Sequence, residues 1–151
     1  MPQSLSAVYL HLVFSVKDRR PILKDPTVRD SLYAYLGGIS KQIDCPPIQI
    51  GGFEDHVHIL ATLGRSQTQS DWVKELKRVS NLWLKAQGNF FNDFEWQRGY
   101  ACFSVSQSNL DSVQKYIATQ VEHHKDQSFQ AELRKLLTKH QLAWDEKYLW
   151  D

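Results

Sequence analysis

Two periodicities alternate along this chain, and their order restricts the fold more than any single residue does. From Val8 to Lys17, the residues Val8, Leu10, Leu12, Phe14 and Val16 alternate with Tyr9, His11, Val13, Ser15 and Lys17, the period of a strand. Asp25-Pro26 then supplies a cap and a first-turn proline, and Val28, Leu32, Tyr35, Leu36, Ile39 and Ile43 recur at helical spacing until about Asp44, where Pro46-Pro47 stops the helix. Residues 48–53 and 56–63 read as two strands joined by a tight turn at Glu54-Asp55. Residues 71–87 form a second helix with Trp72, Leu76, Val79, Trp83 and Ala86 on its apolar side, and 100–106 a fourth strand. A third helix begins near Asn109 with Leu110, Val113, Ile117 and Val121 as its buried stripe, and Phe129, Leu133, Leu136 and Leu137 mark one more short helix.

Strand, helix, strand, strand, helix, strand is the order of an α+β fold of the ferredoxin-like split βαβ kind, an antiparallel sheet with helices packed on it, here with a C-terminal helical tail. A chain of 151 residues, 42% apolar and 23% charged, without repeats or linkers, is expected to form one domain over residues 1–151.

Charge excludes little. Lys and Arg total 18 against 17 for Asp and Glu, so a nucleic-acid partner has to be met by a local patch. No stretch approaches the ~20 apolar residues of a membrane span, and the start lacks a signal-peptide pattern, so a cytoplasmic location is expected. Cys45 and Cys102 have no C-x-x-C partner and behave as small hydrophobes in a reducing compartment.

In Asp55-His56-Val57-His58 the histidines are two apart on a strand, so both project from one face, while Val57, Ile59, Ala61 and Leu63 project from the other. Two imidazoles side by side make half of a metal site, or a pair of satisfied structural histidines. On the third helix Tyr116 and Gln120 are four apart and share a face roughly 100° from the apolar stripe. That position suits groups facing a cleft, and equally a boundary aromatic beside a solvated glutamine. His123 lies on the Tyr116 side, whereas His124 points closer to the stripe. The first and third strands are neighbours in a split βαβ sheet, which places His11 beside His56 and His58 as a supporting group or a packed histidine.

The second helix carries Lys74, Lys77, Arg78, Asn81 and Lys85 opposite its apolar stripe, and Lys17, Arg19 and Arg20 close the first strand. These are either phosphate contacts or solvated surface charge, and Trp96 or Phe91 either stacks on an unpaired base or belongs to the core.

These residues together resemble the single-tyrosine HUH transposases of bacterial insertion sequences, and in particular the REP-associated tyrosine transposases. His56-Val57-His58 is similar to the HUH element and Tyr116-Ile117-Ala118-Thr119-Gln120 to the Y-x-x-x-Q element. Three further segments agree: residues 9–17, Trp96-Gln97-Arg98-Gly99-Tyr100 with Phe103-Ser104-Val105-Ser106, and Glu122-His123-His124-Lys125. The chain departs in having Phe14 and Ser15-Val16 where many relatives carry Trp and a Thr-bearing strand end.

The resemblance implies a metal-dependent DNA endonuclease and strand transferase with Tyr116 as nucleophile. His56, His58 and Gln120 would be its metal ligands, with His11 and His123 as supporting groups. It also implies a 5′-phosphotyrosine intermediate and single-stranded DNA carrying a hairpin as partner. Relatives work as homodimers whose composite sites place the tyrosine helix of one subunit against the histidines of the other, and the bacterial setting implies association with the nucleoid. Mixed nitrogen and oxygen ligation suits Mg²⁺ or Mn²⁺, although imidazoles also accept Ni²⁺ or Zn²⁺. The alternatives are a non-catalytic module that binds single strands, and a hydrolase of small phosphoesters that has no use for Tyr116.

Overall fold

The structure is a computed structural model that describes residues 2–151. Four strands, β1 (Tyr9–Ser15), β2 (Pro47–Gly52), β3 (His56–Thr62) and β4 (Ala101–Val105), form one antiparallel sheet in the order β2-β3-β1-β4. This is the split βαβ arrangement, with β1 and β3 paired at its centre in a register that sets Val13 opposite His58 and His11 opposite Leu60.

Helices α1 (Pro26–Gln42) and α2 (Gln69–Lys85) cover one face of the sheet. Asp25 caps α1 by accepting from Thr27 N, and Thr68 caps α2 by accepting from Asp71 N, so α2 begins two residues before the point the apolar spacing suggests. Between these helices and the sheet lie Leu12, Phe14, Val57, Ile59, Trp72 and Leu76, all essentially inaccessible to solvent. Each large apolar side chain removed from water here contributes about 1.5–3 kcal/mol, and this layer supplies most of the driving force.

The opposite face is covered by α3 (Leu110–Ala118), α4 (Gln120–His123) and α5 (Phe129–Lys139), with α6 (Glu146–Leu149) beyond. Its apolar cluster is small: Val13, Phe103, Phe129, Leu133 and Leu137. Polar groups fill the remainder of this face. His11, His56, His58, Gln120 and Glu132 are all buried, which is costly unless the groups satisfy one another.

Two sequence expectations are corrected in this layer. The helix carrying Tyr116 does not run on through Gln120. It breaks at Thr119, with φ −109° and ψ 27°, and restarts as α4, so the four-residue spacing does not place the two side chains on one continuous helical face. Of the predicted stripe Leu110, Val113, Ile117 and Val121, only Ile117 is buried, and Val121 is exposed. The reason is that α3 lies over the edge of the sheet at β2, where Gly51 presents no side chain and the Ile117 backbone descends into the space a Cβ would fill.

Candidate functional site

The pleat of β3 aims His56 and His58 at the face under α3, α4 and α5, while Val57 and Ile59 enter the other core. Cross-strand pairing brings His11 of β1 onto the same face, and its Nε2 lies 2.8 Å from His58 Nδ1. Asp55, immediately before β3, accepts from His56 Nδ1 at 2.7 Å and fixes that ring from behind.

The break at Thr119 turns Gln120 inward, where only 1% of it remains exposed. Its Oε1 lies 2.9 Å from His56 Nε2 and 3.1 Å from His124 Nε2, and its Nε2 donates to Glu132 at 2.8 Å. Thus the amide presents its oxygen to the imidazoles.

Glu132, on α5, is the hub. Its Oε1 lies 3.3, 3.2 and 3.1 Å from the Nε2 atoms of His56, His58 and His124, and its Oε2 accepts from Gln120 and from the hydroxyl of Tyr116. Burial opposes an ionised carboxyl, but hydrogen bonds from His124, His56 and His58 hold Glu132 far below the usual carboxylate range.

The imidazoles divide accordingly. Burial would depress His56, yet the hydrogen bonds and charges of Asp55 and Glu132 outweigh it and raise its pKa to about 9. Burial lowers His58 against the pull of Glu132, and burial followed by the charge of His58 lowers His11 well below the ordinary value. In the metal-free protein His56 is therefore the cation, with His11 and His58 neutral. Burial, and after it the Glu132 charge, keeps the half-buried Tyr116 hydroxyl protonated.

Ligand atoms about 2.1 Å from a shared ion sit roughly 3.0–3.4 Å apart. Glu132 Oε1 lies at that spacing from His56 Nε2 and His58 Nε2, at 3.3 and 3.2 Å, and all three atoms lie within 4.8 Å of one another. Two nitrogens with carboxylate and amide oxygens form a donor set suited to a divalent ion, and the acid charge of Glu132 offsets part of the ion's own.

The structure separates the other predicted residues from this cluster. The His123 ring lies tilted against Tyr116 at 4.7 Å between ring centres and meets Thr119 Oγ1, while its neighbour His124 enters the cluster instead. Lys74, Lys77, Arg78 and Lys85 belong to α2, on the far face of the sheet. The expectation that Lys77 contacts phosphate is corrected: its ammonium donates to the carbonyls of Gln97, Arg98 and Gly99, and burial lowers its pKa to about 8. Arg78 pairs with Glu75, Lys17 with Glu95 and Arg20 with Asp93, and Arg19 donates to the Trp150 carbonyl. Trp96 and Phe91 are core residues, each 6% exposed, which removes them as stacking platforms.

Sequence reasoning missed Glu132. The available signal was a carboxylate lying among Phe129, Leu133 and Leu136 on the apolar side of a helix, where an acid is expensive unless something faces it. Within the single chain, Gln120 of α4 meets His56 and Tyr116 of α3 meets Glu132.

Residues 4–120 match the family model described as "Transposase IS200 like". The chain is 30% identical over 121 residues to the ISDra2 transposase TnpA of Deinococcus radiodurans, covering 77% of this chain and 84% of that protein. A crystal structure assigned to a transposase of Deinococcus radiodurans R1 superposes with a TM-score of 0.62 at 24% identity, covering 80% of this chain and 95% of that one. A REP-associated tyrosine transposase bound to a REP hairpin gives 0.60 at 13% identity, covering 82% and 72%. With 117 consecutive positions of its 151 under that family model, and the split βαβ sheet shared with both solved structures, the chain belongs to the IS200-like transposase family.

Proposed function

We propose that this chain, acting as one domain over residues 1–151, is a divalent-metal-dependent tyrosine endonuclease and strand transferase. It cuts and rejoins single-stranded DNA at hairpin-bearing ends through a 5′-phosphotyrosine. The observation that carries the proposal is the convergence of Tyr116 from α3, Gln120 from α4 and His56 and His58 from β3 on one cluster, all tied through Glu132.

In this reading His56 Nε2, His58 Nε2 and Gln120 Oε1 would hold the ion, Mg²⁺ or Mn²⁺, beside Glu132. When bound, the ion polarises the scissile phosphate and neutralises charge that develops on it. Asp55 keeps the His56 Nδ1 proton, which leaves Nε2 free to ligate, and His11 accepts the Nδ1 proton of His58 to the same effect. Glu132 Oε2 orients the Tyr116 hydroxyl. As the tyrosine oxygen bonds to phosphorus, the phosphorus bond to the 3′ oxygen breaks, and the phenolic proton passes through Glu132 to the departing oxygen. The free 3′ hydroxyl of another strand reverses these steps, so joining needs no external energy source.

The hairpin-bearing partner rests on the REP hairpin held by a structural neighbour. We further propose a cytoplasmic homodimer with composite active sites, associated with the nucleoid when on DNA and paired through the β4 edge of the sheet. No described helix is long and apolar enough to cross a membrane.

The test is incubation with Mn²⁺ and a labelled single strand carrying a hairpin from the flanks of its own gene. An SDS-resistant adduct is expected, lost in Tyr116→Phe and with chelator. Binding without any adduct would identify a non-catalytic single-strand-binding module instead.

A further inference from the structure

Tyr116 and Glu132 meet at the floor of a cleft of about 490 Å³ between α3 and α5. One wall is α3, where Ser112 stands one turn before Tyr116 on the same side. The other is α5, where Lys135 and Lys139, also one turn apart, line the cleft together with Leu136. Both lysines are exposed, and neither has a carboxylate within ion-pair distance among the described residues; Lys135 donates to the Gln127 amide oxygen at 3.1 Å. This differs from Lys17, Arg20 and Arg78, each already matched to an acid.

We propose that this cleft holds an unpaired phosphodiester segment of single-stranded DNA, with Lys135 and Lys139 contacting successive phosphates and Ser112 donating to one of them. The inference rests on the nuclease reading of the Tyr116 site and deepens it by assigning the path of the strand. A cleft of this size lies in the range that encloses one small ligand and excludes a duplex. Two free ammonium groups along its rim attract the phosphates of a single strand, whose scissile group would lie against Tyr116 at the floor. The family match ends at residue 120, so α5 and both lysines lie outside the part this chain shares with that family model. The cationic face suggested by the sequence, on α2, lies across the sheet and cannot serve this cleft.

The experiment is fluorescence anisotropy with a labelled twelve-nucleotide oligothymidylate, which has no hairpin, across a salt series. Lys135→Glu/Lys139→Glu should weaken binding roughly tenfold and reduce the magnitude of the salt slope by about 1.4, two phosphates at about 0.7 each. Lys135→Gln/Lys139→Gln should do the same to a smaller extent, and Lys24→Glu/Lys41→Glu, with the same charge change on distant surface, should do neither. Unchanged affinity and slope in the first variant, an equal loss in the distant one, or no binding of the probe by the wild-type chain would each overturn the proposal. Lysine-dependent binding by a wild-type chain that forms no tyrosine adduct would sustain the cleft and reject the nuclease. An adduct with lysine-independent binding would do the reverse.

Discussion

The hydroxyl of Tyr116 donates to the carboxylate of Glu132, sixteen residues further along the chain, and the same carboxylate faces His58 Nε2 at 3.2 Å. A single buried acid thereby links the helix that carries the tyrosine to the strand that carries the histidines.

Removing that acid leaves the polar hydrogens of Gln120, His56, His58 and His124 without their shared acceptor. Glu132→Ala should destabilise the metal-free protein by roughly 3–5 kcal/mol, read from urea unfolding. A loss below about 1 kcal/mol would show that water replaces the carboxylate without cost.

His11 tests the supporting role assigned to it. Its Nε2 meets His58 Nδ1 and, where a metal replaces the contact of His58 Nε2 with Glu132, would accept the Nδ1 proton and leave Nε2 free to ligate. His11→Ala should weaken Mn²⁺ binding by about tenfold or more in calorimetry, and an unchanged affinity would reduce His11 to a packing residue.

The pH dependence has two limbs. His56 is raised to about 9 when folded, so its contribution is complete below its ordinary pKa of 6.5 and fades as pH rises through 9. His11 and His58 are lowered, so the unfolded chain binds protons they refuse when folded, and stability falls as pH drops below 6.5. Thermal melts of the metal-free protein should peak near neutrality. Mn²⁺ affinity should climb between pH 6.5 and 9 as His56 gives up its Nε2 proton, and a flat profile would contradict the assignment of His56 as a ligand.

Gly51 governs how closely α3 sits on the sheet. A Cβ there would run into the Ile117 carbonyl and lie 3.1 Å from its Cγ2. Gly51→Ala should cost about 1–3 kcal/mol and, by lifting α3, weaken Mn²⁺ binding as well. Full stability and affinity in this variant would mean that α3 can shift without disturbing Tyr116 or Gln120.

Local information determined much of this protein. Alternation in β1 and β3, proline and Asp25 at the start of α1, and the apolar spacing of α2 and α5 each follow from interactions within a few residues, and their order dictates the antiparallel sheet. The pairing of His56 with His58, and the placing of His11 beside them, needed only the period of a strand and the order of the sheet. Tertiary structure decided the remainder. Helical spacing could not reveal the break at Thr119, because the burial of Gln120 against β3 overrides the local preference to continue the helix. It could not bring Glu132 and His124 into the cluster or place the α2 cations across the sheet, since the packing of α5 against β1 and β4 depends on side chains far apart in the chain. A buried acid on an apolar stripe signals that something faces it, but only the folded chain supplies the partner.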